Sequence, residues 1–280
     1  MLVNRLWRHH FGHGIVETLD DFGRAGAPAP HEELLDWLAV EFVRSSWDIN
    51  HMHRLMMTSA TYRRSSETTA RQRRLDPNNR LLSHMPLRRM EAEVLRDSLL
   101  AVAGQLDLTP FGPPDDIDVR DDGLVVALAK ASGQRRSIYI QKRRSQRLTI
   151  LDNFDRPAMS PNCVDRTESI VAPQALQLMN NKTVYELSLA LADRILLERG
   201  EEDHDRIDQL FLVTVGRAPI DDERQTLLEV LERIREKWLR HEVSSPQVEK
   251  RVELERKSTR RAYQTICHAV LSSAAFLYID

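Results

Sequence analysis

From Pro173 to about Ala275 apolar residues return at helical spacing with few interruptions, and this run restricts the chain to mainly α architectures. Pro173 suits a first helical turn, where its missing N–H costs nothing. The pattern breaks at Asn180-Asn181, resumes through Leu196, and continues as Ile207 to Val215, Asp221 to Arg240 and Val248 to about Ala275. Leu227, Leu231, Ile234 and Trp238 recur at heptad-like spacing, as do Tyr263, Ile266, Val270 and Ser273. Two long helices joined by the short segment His241 to Pro246 are expected to pack as an antiparallel pair.

Upstream the same spacing predicts a helix over Leu2 to Phe11, ended by Gly12 and Gly14, where the chain can turn at positive φ. A second helix begins near His31 and carries Leu34, Leu35, Leu38 and Phe42; a third carries Ile49, Met52, Met56 and Ala60. Met52, Met56 and Met57 are expected as core filler. Arg63 to Asn79 reads as a polar surface loop, and Leu87 to Gly104 as a strong helix closed by glycine. Leu124 to Ala129 and Ser137 to Gln141 are expected as two short strands flanking Ser132-Gly133. The resulting expectation is a mainly α, multi-helix globular domain with a small β-hairpin insertion and a C-terminal antiparallel helical pair. Its parts are 1–110 (N-terminal helical), 111–172 (irregular and hairpin) and 173–280 (C-terminal helical), integrated as one domain.

At 280 residues the chain can bury a substantial core. Its 40 basic and 42 acidic residues leave a net charge of -2, which exerts no global pull toward nucleic acid or an anionic membrane. Any polyanion site must therefore be local. No apolar run approaches the ~20 residues of a membrane helix, and no Cys-x-x-Cys-His run offers c-type haem attachment. Cys163 and Cys267 read as two free thiols, although a disulfide between them stays open.

One local charge cluster stands out. Arg135, Arg136, Lys142, Arg143, Arg144 and Arg147 fall within residues 135 to 147 with Tyr139 and no acid. Guanidinium groups bind phosphate or sulfate as a fork, but Asp115, Asp116, Asp118, Asp121 and Asp122 could neutralise the cluster internally. Glu91 falls on the apolar arc of the helix expected over Leu87 to Gly104, so it must be paired, hydrogen-bonded or neutral. Arg88, Arg135 or Arg136 could reach it, making a structural ion pair; the rival role is a catalytic acid. A hydrolase would draw acid and base from Glu91, Asp97, Asp155 or His53, with two carboxylates roughly 5–10 Å apart across a cleft. Cys163, near Asp155, Arg166 and Gln174, could become nucleophilic beside an arginine. Arg54, Arg88 and Arg166 are further anion-binding candidates. His9, His10 and His13 lack metal-ligand register because Gly12 and Gly14 end their helix, so no metal and no cofactor is expected.

The block Asn4-Arg5-Leu6-Trp7-Arg8-His9-His10-Phe11-Gly12-His13-Gly14, the helix His31-x-Glu33-Leu34-Leu35-Asp36-Trp37-Leu38, and Asp76-Pro77-x-Asn79-Arg80 follow one another in a characteristic order. Arg135-Arg136-Ser137-x-Tyr139, Phe154-Asp155-x-Pro157, Val171-Ala172-Pro173-Gln174 and Gly216-Arg217-x-Pro219 continue it. This series resembles the planctomycete PSD-type domain of unknown function, the C-terminal module of exported proteins that begin with a cytochrome c-like module. Glu32 and Asn50 depart from the family pattern, where proline and lysine are more usual. The chain begins directly inside the family motif, which suggests a fragment of a longer protein. The resemblance implies a periplasmic or otherwise extracytoplasmic module, with upstream domains or a cytochrome c-like module as partners. Combined with the arginine cluster, it suggests a non-enzymatic binding module contacting sulfated or otherwise anionic polysaccharide. The alternatives are a glycan-active hydrolase and a docking module for a cytochrome c-type partner.

Overall fold

The computed structural model describes residues 1–128, 134–157, 166, 169–198, 202–242 and 248–279. The fold is mainly α, with helices throughout and strands of only two or three residues among the described residues. The chain divides into two compact units, one built on Met1–Arg89 with Tyr278–Ile279, the other on Met90–Met159 and Arg166–Leu277.

In the first unit, α1 (Leu2–Phe11) buries Val3, Trp7 and Phe11 at four-residue intervals, with the Trp7 and Phe11 rings stacked at 4.0 Å. Gly12 ends it at φ 82. Buried Asn4 then braces the turn: its Nδ2 donates to Val16 O at 2.8 Å and its Oδ1 accepts from Val16 N at 3.0 Å. A Cβ at Gly14 would collide with both partners of that brace, Val16 O and Asn4 Nδ2, so glycine is required there. Helices α2 (Glu32–Arg44) and α3 (Ile49–Met57) complete the core with Leu38, Phe42, Met52 and Met56. Met57 is exposed, unlike its two neighbours in the methionine group. Asp48 caps α3 by accepting from Asn50 N and His51 N. Within the stretch expected as loop, α4 (Ala70–Leu75) forms behind a capping box of Thr69 and Gln72. The two-residue strand β1 (Arg88–Arg89) pairs antiparallel with Tyr278–Ile279.

The second unit begins with α5 (Ala92–Val102), five residues later than expected from Leu87. Four short strands follow: β2 (Leu106–Asp107), β3 (Ile117–Val119), β4 (Val125–Ala127) and β5 (Gln134–Arg135). The hairpin forms, but with a different partner from the one expected. β4 pairs antiparallel with β3 across a turn containing Gly123 at φ 81, while β5 pairs parallel with β2. Ser137–Tyr139 is a turn of 3₁₀ helix instead of a strand. The acidic turn Asp121-Asp122-Gly123 supplies the positive φ that a tight hairpin needs; the Ser132-Gly133 turn lies outside the described residues.

Helices α6 (Thr149–Asn153), α7 (Ala172–Asn180), α8 (Lys182–Glu198), α9 (Asp203–Thr214), α10 (Asp221–Glu242), α11 (Val248–Leu271) and α12 (Ala274–Leu277) make up the rest. The break expected at Asn180-Asn181 separates α7 from α8, with Asn181 Oδ1 accepting from Thr183 N at 2.8 Å. Helix α11 is central, packing on both α8 and α10. Helices α10 and α11, only five residues apart in the chain, must run antiparallel. Ala262, Tyr263, Ile266, Cys267 and Leu271 meet Leu187, Leu191 and Ile195 in the core. Leu231 is buried at the heart of the heptad column, whereas Trp238 lies beyond its end with 38% of its surface exposed. The Tyr263 hydroxyl is satisfied by donating to Asp203 Oδ1 at 2.8 Å.

Candidate functional site

Helix α5 carries two stripes. Ala92, Leu95, Arg96, Leu99 and Leu100 face the core, a run at i, i+3, i+4, i+7 and i+8. Glu93, Val94, Asp97, Ser98 and Ala101 face a cleft of about 770 Å³ in the second unit. Its other walls come from Leu106 and Leu108, from the segment Arg136 to Leu148 except Tyr139, Arg144 and Ser145, and from Leu151, Arg156, Pro157 and Arg166. The lining holds the cations Arg136, Lys142, Arg143, Arg147, Arg156 and Arg166 against the carboxylates Glu93 and Asp97.

These cations are held in different ways. Arg166 donates to Glu93 at 2.6 Å and lies 3.4 Å from Glu91. Arg136 lies 3.5 Å from Asp97. Arg147 and Arg156 share Asp152, at 3.4 and 3.2 Å. Arg143 is different: its Nε donates to Gln141 Oε1 at 2.8 Å and its Nη1 to Gln146 Oε1 at 2.9 Å. Its nearest carboxylate, exposed Asp116, is 4.0 Å away. Two neutral amides thus orient this guanidinium without cancelling its charge. Lys142 makes no ion pair among the described residues.

Behind the cleft wall lies a buried polar network. Arg96 donates to Arg135 O, Ser137 Oγ and Gln134 Oε1, and touches Asp97 at 3.3 Å. Burial lowers the Arg96 pKa to about 10 against the opposing pull of Asp97, so it stays charged at neutral pH. Asp97 also accepts from Ser137 N and Oγ at 2.8 and 2.7 Å. Arg135 is 4% exposed and fully engaged, with Asp115 at 2.9 Å and with the carbonyls of Phe111 and Pro113. Its guanidinium also lies 4.9 Å from the centre of the Tyr139 ring.

Of the anion-binding residues expected from sequence, Arg136, Arg143 and Arg166 therefore converge on one cleft. Arg135 turns inward to Asp115, Tyr139 packs beside it, and Arg144 is exposed outside the lining. Arg54 and Arg88 belong to the first unit, where Arg88 donates to His9 O at 2.8 Å. Glu91 corrects an expectation. It is the N-cap of α5 with extended backbone, and its side chain is 33% exposed and paired with Arg166. Arg135 and Arg136 take Asp115 and Asp97 instead. The physical reason is the later helix start: Leu87 and Met90 lie outside the helix, so the arc they helped define is not its core face, which runs instead through Ala92, Leu95, Arg96, Leu99 and Leu100.

Asp155 does not line the cleft. It sits at φ 61 and accepts from Ser169 N and Oγ and from Gln174 Nε2, fixing the turn that delivers Arg156. Cys163 lies outside the described residues. Cys267 is a fully buried free thiol whose pKa burial pushes upward. His53 faces His10 across 2.8 Å in the first unit, a pairing hidden from sequence because the partners come from different helices. Burial, followed by the neighbouring charges of His53, Arg88 and His9, lowers His10 to about 4. No group of three or more metal-ligating side chains is present among the described residues. A second cavity, of about 470 Å³, lies in the first unit beside Trp7, His13 and His31, bordered by the Arg80–Glu17 pair at 2.9 Å.

Sequence reading did not gather Lys142, Arg147 and Arg156 into one cleft and did not name Glu93 as a site residue. The signal for Glu93 was its i, i+4 relation to Asp97. Taken together, fold and cleft define a mainly α domain with minor β structure and an arginine-lined concavity. The chain belongs to the PSD1 family, described as a protein of unknown function (DUF1553), whose profile matches residues 1–231. No curated protein and no solved structure matches it. No helix among the described residues is long and apolar enough to cross a membrane.

Proposed function

We propose that this domain is a non-enzymatic binding module whose cleft in the second unit takes an anionic ligand. The observation that carries the proposal is Arg143, oriented by Gln141 and Gln146 and left with its charge largely uncancelled. A guanidinium fixed in advance loses little freedom when a sulfate, phosphate or carboxylate arrives. Lys142, Arg147 and Arg156 extend the positive field along the same cleft. Sulfated or otherwise anionic polysaccharide is the carrier suggested by the family resemblance, and the extracytoplasmic multidomain setting rests on that resemblance too.

A hydrolase is the less supported reading. Glu93 and Asp97 share the cleft, but Arg166 occupies the first, while Ser137 and Arg96 occupy the second. Neither is left free to protonate a leaving group or to activate a water. Among the described residues no specific contact points to a cytochrome c-type partner.

Affinity electrophoresis in dextran sulfate, with neutral dextran as control, tests the proposal. Retardation by the sulfated polymer alone is expected, falling at least about tenfold in affinity for the double variant R143A/R147A, as loss of charge-assisted contacts predicts. R144A, outside the cleft, should behave as the unaltered protein. Equal mobility in both polymers, or an R144A loss matching that of R143A/R147A, would remove the proposal.

A further inference from the structure

The cleft holds an unusual combination. No aromatic side chain is among its described lining residues, so among them a sugar ring or a nucleobase finds no flat platform on which to stack. Aliphatic side chains take that place, and three of them stand exposed in the cleft: Ile138 at 78%, Leu108 at 71% and Val94 at 44%. Deeper in, Leu148 and Leu151 are buried. Water-exposed aliphatic surface gathered beside uncancelled cations is complementary to one kind of ligand, a body that is apolar along its length and anionic at one end.

We infer that the cleft binds an alkyl chain with one anionic head, a fatty-acid-type carboxylate or an alkyl phosphate or sulfate. This rests on the anion-binding reading of the same cleft and puts an alkyl chain in place of polysaccharide as the carrier of the anion. The anionic head meets Arg143, which Gln141 and Gln146 hold in position, with Lys142 adjacent in the chain. The chain covers Ile138, Leu108 and Val94, removing both surfaces from water. Charge selects the head, and aliphatic area sets affinity by length. The amides of Gln141 and Gln146 serve as orienting groups, since their oxygens are already committed to Arg143.

The same chemistry could reach the cleft as a free amphiphile or as the surface of an anionic bilayer. The inference commits to the free chain, because the site is a concavity lined by both cations and aliphatics. Titration calorimetry with hexanoate, octanoate and decanoate below their micelle concentrations reads this directly. Affinity should rise by about two- to fourfold per added methylene, the upper figure being full burial of each group at ~0.8 kcal/mol. Decanol at the same concentrations should bind at least tenfold more weakly than decanoate. The double variant I138S/L108S alters two exposed side chains, so folding should be spared; it should weaken decanoate at least fivefold and leave dextran sulfate retardation unchanged.

Four results decide the matter. Chain-length-dependent binding that R143A/R147A abolishes supports the inference. Dextran sulfate binding without any length dependence overturns it and leaves the anion-binding proposal standing. No binding of any anion removes both. Binding to phosphatidylglycerol vesicles with none to monomeric decanoate overturns it in favour of surface adsorption.

Discussion

The inner face of residues 134–137 and the outer segment 141–147 use the same side chain in opposite ways. Inside, Arg135 is closed by Asp115 and two carbonyls, with both charges almost wholly removed from water. Outside, Arg143 is held by two neutral amides and faces a cleft. Both guanidinium groups are immobilised; they differ in what immobilises them. A carboxylate holder uses up the charge in building the fold, whereas an amide holder keeps it available. An arginine cluster in a sequence is therefore two populations until the holders are known.

The largest test of this contrast is Asp115→Ala. Removing one partner of a buried pair strands the other charge, so urea unfolding should show a loss of about 3–5 kcal/mol. A change below about 1 kcal/mol would erase the distinction between inner and outer arginines. Next comes Asp97→Asn, which keeps the shape but weakens the bonds from Ser137 and Arg96. It should cost about 1.5–3 kcal/mol, and circular dichroism at increasing urea would show it. Arg143→Ala should move stability by no more than about 0.5 kcal/mol while weakening anion binding. A large stability loss there would make it a structural residue like Arg135.

In the first unit the expected effect is on the pH dependence of stability, where His10 packs against His53. His10 titrates near its ordinary 6.5 when unfolded and at about 4 when folded. The unfolded chain therefore binds the extra proton between these values, and stability falls as pH drops from 6.5 toward 4. His10→Gln should flatten that part of the pH–stability curve. An unchanged curve would mean that His10 is solvated in solution.

Much of the helical frame was legible because apolar spacing survives whatever the tertiary contacts do. Leu2–Phe11 and the Asn181 break stand where the spacing put them. What misled was the first turn of α5. Leu87 and Met90 extended the periodicity backward into a strand, since Arg88–Arg89 find their hydrogen bonds on Tyr278–Ile279, a partner far away in the chain. Helix α4 was overlooked although Thr69-x-x-Gln72 is a capping signature, because a six-residue helix with no buried side chain leaves no hydrophobic trace. The site was half legible. Residue type announced the cluster, but only geometry separates an arginine facing Asp115 from one facing Gln141. Residues as distant as Glu93 and Arg166 meet through packing alone.

The pairing of Arg89 with Tyr278 also sets a schedule for biosynthesis. These partners are about 190 residues apart, and at roughly 5–20 residues per second the ribosome needs about 10–40 s to travel between them. Throughout that interval the edge of β1 has no strand to accept, long after its own α1–α3 core has all its residues. A newly made first unit is thus expected to keep this edge unpaired until the late segment emerges. Pulse proteolysis of stalled nascent chains should cut around residues 86–90 before that point and spare them after it; equal protection at both stages would mean that the seal is dispensable.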